Sequence, residues 1–281
     1  MKKLHKIIYL LFAITLIINF THFIPEAEQV KTASQRYVPD GYRLTILMYH
    51  HVVKDGMPIN SVTVTESKLN EDLKYISENG YTTILPSELI SILSEKDAKL
   101  PDKTVMITFD DGYRSNYELA FPLLEKYGCK ASIALITANI DAGMEFFLTW
   151  DMCRVMDGSG LIEFGSHTHD HHNPQNDGNL YTDGPNGIQR RPGENKADYK
   201  ARISYDLEHS YERLTAELGQ KPHYFFAYPY GVTDRVGDRI VDSIYNVSVT
   251  TMPDYTDIRK GTVRMPRFGI REDTDLSTIL K

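Results

Sequence analysis

The chain has 281 residues, a formal charge of −7, 41% hydrophobic residues and 25% charged residues. That length holds one large domain or two small ones, and the apolar content supports a packed core, which excludes global disorder. The acidic balance argues against a nucleic-acid binder or a partner of strongly anionic polymers; a neutral or cationic substrate or product is compatible with it.

Lys2, Lys3 and Lys6 precede an uncharged run from Ile7 to Phe20, which is the order of a secretory signal. Export is therefore expected, with residues 1–24 acting as a signal peptide or staying as a membrane anchor. The cleavage candidates Ala27 and Ala33 are poorly preceded by Pro25 and Lys31, whereas the apolar run is short for a full span. Residues 25–40 read as a polar linker, followed by one domain over 41–281. Cys129 opens a strand-like run and Cys153 sits in a helix-like one, so two buried thiols are expected rather than a disulfide.

The domain begins with a strand over Arg43–Tyr49 that ends in His50-His51. A helix carrying Leu69, Leu73 and Ile76 on one face stops at Gly80. A short strand at Thr82–Leu85 and a helix at Ser87–Ser94 come next. The apolar run Val105-Met106-Ile107 then ends in Thr108-Phe109-Asp110-Asp111-Gly112. A helix over Asn116–Tyr127 leads to a buried strand at Ala131–Thr137 and a helix over Trp150–Met156. The strand Leu161–Gly165 ends in Ser166-His167-Thr168-His169-Asp170-His171-His172. After a Gly-, Asn-, Asp- and Pro-rich stretch, a long helix carries Ile203, Leu207, Tyr211, Leu214 and Leu218. His223–Ala227 is a strand ending in Tyr228-Pro229-Tyr230-Gly231. A helix with Val236, Ile240 and Ile244, strands at Val247–Thr250 and Val263–Phe268, and a short terminal helix complete the chain. This alternation implies a parallel sheet with right-handed crossovers, and its size suits one barrel-like α/β domain.

Chemistry in such folds collects where strands end. Four of the ten histidines fall between positions 167 and 172, just past an apolar strand. Imidazole and carboxylate together suit Zn²⁺ or a similar divalent ion. A metal lowers the pKa of bound water, and a second carboxylate can accept the water's proton. Adjacent strand residues point opposite ways, so Asp110 and Asp111 can take different tasks.

Thr108-Phe109-Asp110-Asp111, Ser166-His167-Thr168 with a second histidine soon after, and Tyr228-Pro229-Tyr230-Gly231 resemble the first three motifs of the polysaccharide deacetylases, carbohydrate esterase family 4. Leu47-Met48-Tyr49-His50-His51 and Leu148-Thr149-Trp150-Asp151 are similar to the poly-N-acetylglucosamine deacetylase branch. The resemblance implies a distorted (β/α)7 barrel with a single catalytic domain. It implies hydrolysis of N-acetyl groups from an envelope or biofilm polysaccharide, releasing acetate, with a divalent metal; a monomer is expected. Zinc is preferred, with cobalt or another transition metal as alternatives. By that resemblance Asp110 is the catalytic base, and Asp111 and His167 are metal ligands. The second histidine is His172 in the favoured branch, five positions on, or His171 in most of the family. The backbone N–H of Tyr230 would help hold the oxyanion, and Tyr228 and Pro229 would form the groove. Trp150 would wall the groove or pack in the core.

Two departures stand out. Ala227 occupies the place of the arginine that usually orients the base, and no histidine follows His223 to serve as the usual acid. His50 or His51 could fill part of that acid role. The departures keep a non-catalytic carbohydrate-binding relative open as an alternative. Phosphoryl transfer is disfavoured, because Mg²⁺ prefers oxygen ligands.

Overall fold

A computed structural model describes residues 37–172, 187–219, 221–222 and 224–280. The expected leader, most of the linker, part of the polar stretch after His172, and His223 lie outside them. Among the described residues no helix is long and apolar enough to cross a membrane.

In chain order the elements are β1 (Arg43–Tyr49), β2 (His51–Val53), β3 (Thr63–Thr65), α1 (Glu66–Glu78), β4 (Thr82–Thr83), α2 (Pro86–Leu93) and β5 (Thr104–Phe109). A π-turn at Asn116–Ala120 leads into α3 (Phe121–Tyr127), β6 (Ala131–Leu135), α4 (Thr137–Asp141), α5 (Trp150–Gly158) and β7 (Ile162–Ser166). Then come α6 (Lys196–Leu218), β8 (Phe225–Ala227), α7 (Arg235–Ile244), β9 (Val247–Val249), β10 (Thr256–Asp257) and β11 (Phe268–Gly269).

The helices form for local reasons as well as by packing. Thr65 caps α1 by accepting from the Lys68 N–H, and Leu69, Leu73 and Ile76 are buried along one face. Asn195 caps α6 at Ala197 and Asp198, and Ile203, Leu207, Leu214 and Leu218 form its buried stripe. Gly112 closes the aspartate turn with φ +75°, and a Cβ there would lie 2.7 Å from the Leu135 side chain; only glycine fits this turn unstrained.

β1, β5, β6, β7, β8 and β9 pair in that order, all parallel. β4 extends the pairing along the lower edge of β5, and β10 lies antiparallel to β1. The return to β1 runs through residues 262–269. Met265 bridges Val249 in parallel, its N–H reaches the Ser248 carbonyl, and β11 then pairs with β1. The ring is thus a distorted (β/α)7 barrel. Side chains alternate across each strand. Leu44, Ile46, Met106, Ala134, Phe225, Ala227, Val247, Val249 and Met265 share one cluster that fills the interior. The opposite faces, including Leu47, Ile107, Ile133 and Phe164, pack against the helices. Inward parity brings Thr108 and Asp110, His167 and Arg267 toward the C-terminal mouth.

Several features differ from the expected elements. The strand expected over Val263–Phe268 is reduced to one bridge and β11, because Pro266 has no N–H to donate. The terminal helix is a single 3₁₀ turn at Leu276–Thr278. The short parallel pair β2–β3 falls in a stretch that shows no strand alternation long enough to read. Cys129 and Cys153 are buried free thiols.

Candidate active site

Strand β5 delivers Asp110 and Asp111 at its end. Asp110 is 2% exposed. Arg267, itself fully buried, donates to both of its oxygens at 2.7 Å. The same guanidinium donates to the Thr250 carbonyl at 2.8 Å and to Thr108 Oγ1 at 3.0 Å. Burial alone would raise the Asp110 carboxyl. The charge and hydrogen bonds of Arg267 overcome that effect and hold it well below the usual carboxylate range. A planar guanidinium with its donors occupied in this way fixes the carboxylate's orientation as well as its charge.

This arginine is what the sequence reading missed. Ala227 does stand where the resemblance places an arginine, but the barrel-closing segment supplies one from the other end of the chain. The available signal was a single cation in Met265-Pro266-Arg267-Phe268. A charged residue in an apolar strand position needs a buried partner.

Asp111 turns away from Asp110 on a left-handed backbone, φ 72°. Its Oδ1 lies 3.4 Å from His167 Nε2 and 3.5 Å from His172 Nε2. That oxygen is buried and accepts no hydrogen bond from the described residues. One ligand atom from each of the three side chains falls within 4.8 Å of the others.

His167, at the end of β7, donates from Nδ1 to the Ala227 carbonyl at 2.7 Å. Burial, with His172 alongside, pushes its pKa down to about 4. The imidazole is therefore neutral, and its Nε2 lone pair faces Asp111. His172 Nδ1 lies 3.3 Å from the Tyr230 hydroxyl, and the two rings pack 4.4 Å apart. Both histidines thus have one nitrogen engaged and the other turned to the carboxylate. This is how partners outside the ligand set orient metal-binding histidines. Two imidazoles and one carboxylate whose buried oxygen is unpaired fit a divalent ion such as Zn²⁺.

Asp111, Thr168 and Tyr230 are three of only six described non-glycine residues with positive φ. Such backbone costs about 1–3 kcal/mol per residue and persists where surrounding structure enforces it. Here the three share one site.

The other residues singled out from sequence divide. His50, partly buried at the end of β1, has Nε2 3.9 Å from Asp110 Oδ2. His51 turns aside to Ser115 Oγ at 2.8 Å and packs against Tyr113 and Phe146. His171 is not in the cluster; its Nε2 lies 3.1 Å from Arg202 Nη1. Tyr230 reaches the site. Pro229 is buried against the backbone of Gly187.

Tyr228 corrects the groove assignment. It is fully buried and packs with Phe226, Tyr245 and Val241 in the layer beneath α6 and α7. Ala227 faces the interior, so alternation sends its neighbour outward. Trp150 packs against the helix-side core. Its indole N–H donates to Asp141 at 2.8 Å, and the Arg213 guanidinium lies over its ring. Those partners belong to the helix layer, which favours the packing reading over the groove wall.

The polysaccharide deacetylase model matches residues 97–244, which include both aspartates, the histidine loop and the Tyr-Pro-Tyr-Gly turn. The chain belongs to the polysaccharide deacetylase family. It is 40% identical over 129 residues to Bacillus subtilis YxkH, covering 46% of this chain and 43% of that protein. It is 28% identical over 232 residues to the poly-beta-1,6-N-acetyl-D-glucosamine N-deacetylase of Escherichia coli (strain K12), covering 75% of this chain and 34% of that one. The chain thus spans less than half the length of both relatives. Among solved structures, a de-N-acetylase from Aggregatibacter actinomycetemcomitans superposes with a TM-score of 0.72 at 25% identity, over 84% of this chain and 98% of that one.

Proposed function

We propose that the protein is a metal-dependent de-N-acetylase acting on an N-acetylglucosamine-containing polysaccharide of the envelope or a biofilm, and that it releases acetate and leaves a free amine. The observation that carries this reading is the pairing of two carboxylates with separate environments. Asp110 is locked to Arg267, whereas Asp111 presents a buried unpaired oxygen to two imidazoles. The polymer class is taken from what the Escherichia coli relative is named for.

Asp111, His167 and His172 would hold the ion, with zinc the preferred metal given two nitrogens and one carboxylate. A bound ion would supply a Lewis acid for the amide carbonyl and make a water acidic enough to act near neutral pH. The remaining work falls to side chains. Asp110, oriented by Arg267, accepts the proton of the attacking water. The backbone N–H of Tyr230, on its left-handed turn, is the proposed donor to the developing oxyanion. Such a donor contributes about 3 kcal/mol of barrier lowering. His50 is the proposed acid for the leaving amine, supported by its position 3.9 Å from Asp110.

Arg267 also bears on the non-catalytic alternative, since it supplies the base-orienting cation whose absence from the third motif left that alternative open. The N-terminal leader supports export, with the domain outside the cell or held at its surface. Acetate release from poly-N-acetylglucosamine, peptidoglycan and chitin oligomers tests the reading and selects the polymer. Asp110→Asn should abolish nearly all release. Unaltered release by that variant would assign the activity to a contaminant and favour a binding protein.

A further inference from the structure

The histidine loop does not hold itself in place. Its second half, His169 to His172, carries three imidazoles, two of them adjacent, and only one of the three lies with Asp111 and His167. The selection is made by helix α6, whose face toward the loop presents Asp206 and Arg202 one turn apart. Asp206 is 4% exposed. Its Oδ1 accepts the His169 N–H at 2.9 Å and its Oδ2 accepts the Asp170 N–H at 2.8 Å. A single carboxylate thereby satisfies two successive backbone donors of a strained turn that follows Thr168 at φ 74°. On the other side, α4 receives the loop: its Ala138 N–H reaches the His169 carbonyl at 3.0 Å.

Arg202 acts on the side chain that must be kept out. Its Nη1 donates to His171 Nε2 at 3.1 Å, while Nε and Nη2 are fixed on Glu194 at 2.8 and 2.9 Å. The donation engages the lone pair with which His171 would bind a cation. His171 Nδ1 lies 3.8 Å from Asp206 Oδ2. His172, one residue further, is turned across the loop to Tyr230 and Asp111.

We propose that Asp206 and Arg202 are positioning residues that determine which histidine completes the metal site. Asp206 sets the loop's backbone, and Arg202 withdraws His171. Neither touches the reacting groups; both act through the loop. The inference rests on the metal-binding reading above and deepens it.

Titration of metal-stripped protein with Co²⁺, followed by its visible absorption spectrum, tests it without turnover. Each variant is measured well below the unfolding temperature of its metal-free form. Asp206→Asn keeps the size but opposes an NH₂ group to one of the two backbone donors. It is expected to weaken Co²⁺ binding about 10–100-fold, the usual cost of losing a partner behind a ligand, and to change the spectrum. Asp206→Glu restores a carboxylate and should recover part of the affinity. Arg202→Gln should shift the spectrum in the same direction with a smaller loss of affinity, and it keeps the test open should Asp206→Asn not fold. Wild-type affinity and spectrum in both Asp206→Asn and Arg202→Gln would overturn the inference while leaving the metal reading intact. A wild-type protein that takes up no Co²⁺ would overturn both.

Discussion

Arg267 meets Asp110 through two parallel hydrogen bonds of 2.7 Å, although 157 positions of sequence separate them. The pair closes the barrel chemically as well as topologically, since the segment that carries Arg267 is the one that joins β9 to β1.

Removing one member of a buried pair leaves the other uncompensated, at a cost of about 3–5 kcal/mol. Arg267→Met should lose that much stability at neutral pH. The sign of its pH dependence follows from Asp110, whose folded value is depressed. The ionised carboxylate stabilises the wild type above its unfolded value of about 3.9, and that contribution fades as pH falls toward the lower folded value. In Arg267→Met burial dominates and raises the carboxyl. The deficit should therefore begin to narrow as the pH falls through the variant's raised carboxyl value and narrow further below about 4. Denaturant midpoints of both proteins between pH 7 and pH 3 check this; a deficit that does not vary with pH would refute it.

The two adjacent histidines should behave differently. His172→Ala removes one of three proposed ligands and should abolish stoichiometric Zn²⁺ retention through gel filtration. His171→Ala should retain the ion with weakened affinity, because His171 contacts Arg202 rather than Asp111. Metal content by mass spectrometry decides the matter, and equal loss in the two variants would contradict the assignment.

His50→Gln tests the proposed acid. General acid catalysis contributes about 10²–10⁴-fold, so kcat should fall within that range while KM changes little. An unchanged kcat would remove His50 from the chemistry.

Tyr228→Ala should act on stability rather than on substrate. Truncating a buried aromatic costs about 3–5 kcal/mol, and Tyr228 is fully enclosed beneath α6 and α7. KM for the polymer at a temperature where the variant is folded should match the wild type. A raised KM would return Tyr228 to the groove.

Much of the fold is legible in the sequence because the strands are apolar runs with polar ends, and the helices between them keep clear stripes. Asp110, Asp111 and His167 are legible for the same reason: each stands directly after a run whose direction is unambiguous. Arg267 is not, since one arginine beside a proline carries no local sign of its partner, and pairing across the barrel is a tertiary fact. The misplacement of Tyr228 is instructive in another way. Motif resemblance assigns the whole Tyr-Pro-Tyr-Gly turn to the groove, whereas strand alternation separates Ala227 from Tyr228. The choice between His171 and His172 depends on contacts with α6, which lies beyond the loop in sequence.

The most direct test of the central claim is acetate release from poly-N-acetylglucosamine by protein stripped of metal with a chelator and then reloaded with Zn²⁺ or Co²⁺. The expected result is release that disappears on stripping, returns on reloading, and stays absent in reloaded Asp111→Asn. Release that survives stripping at its original rate, or no release with either metal, would contradict it.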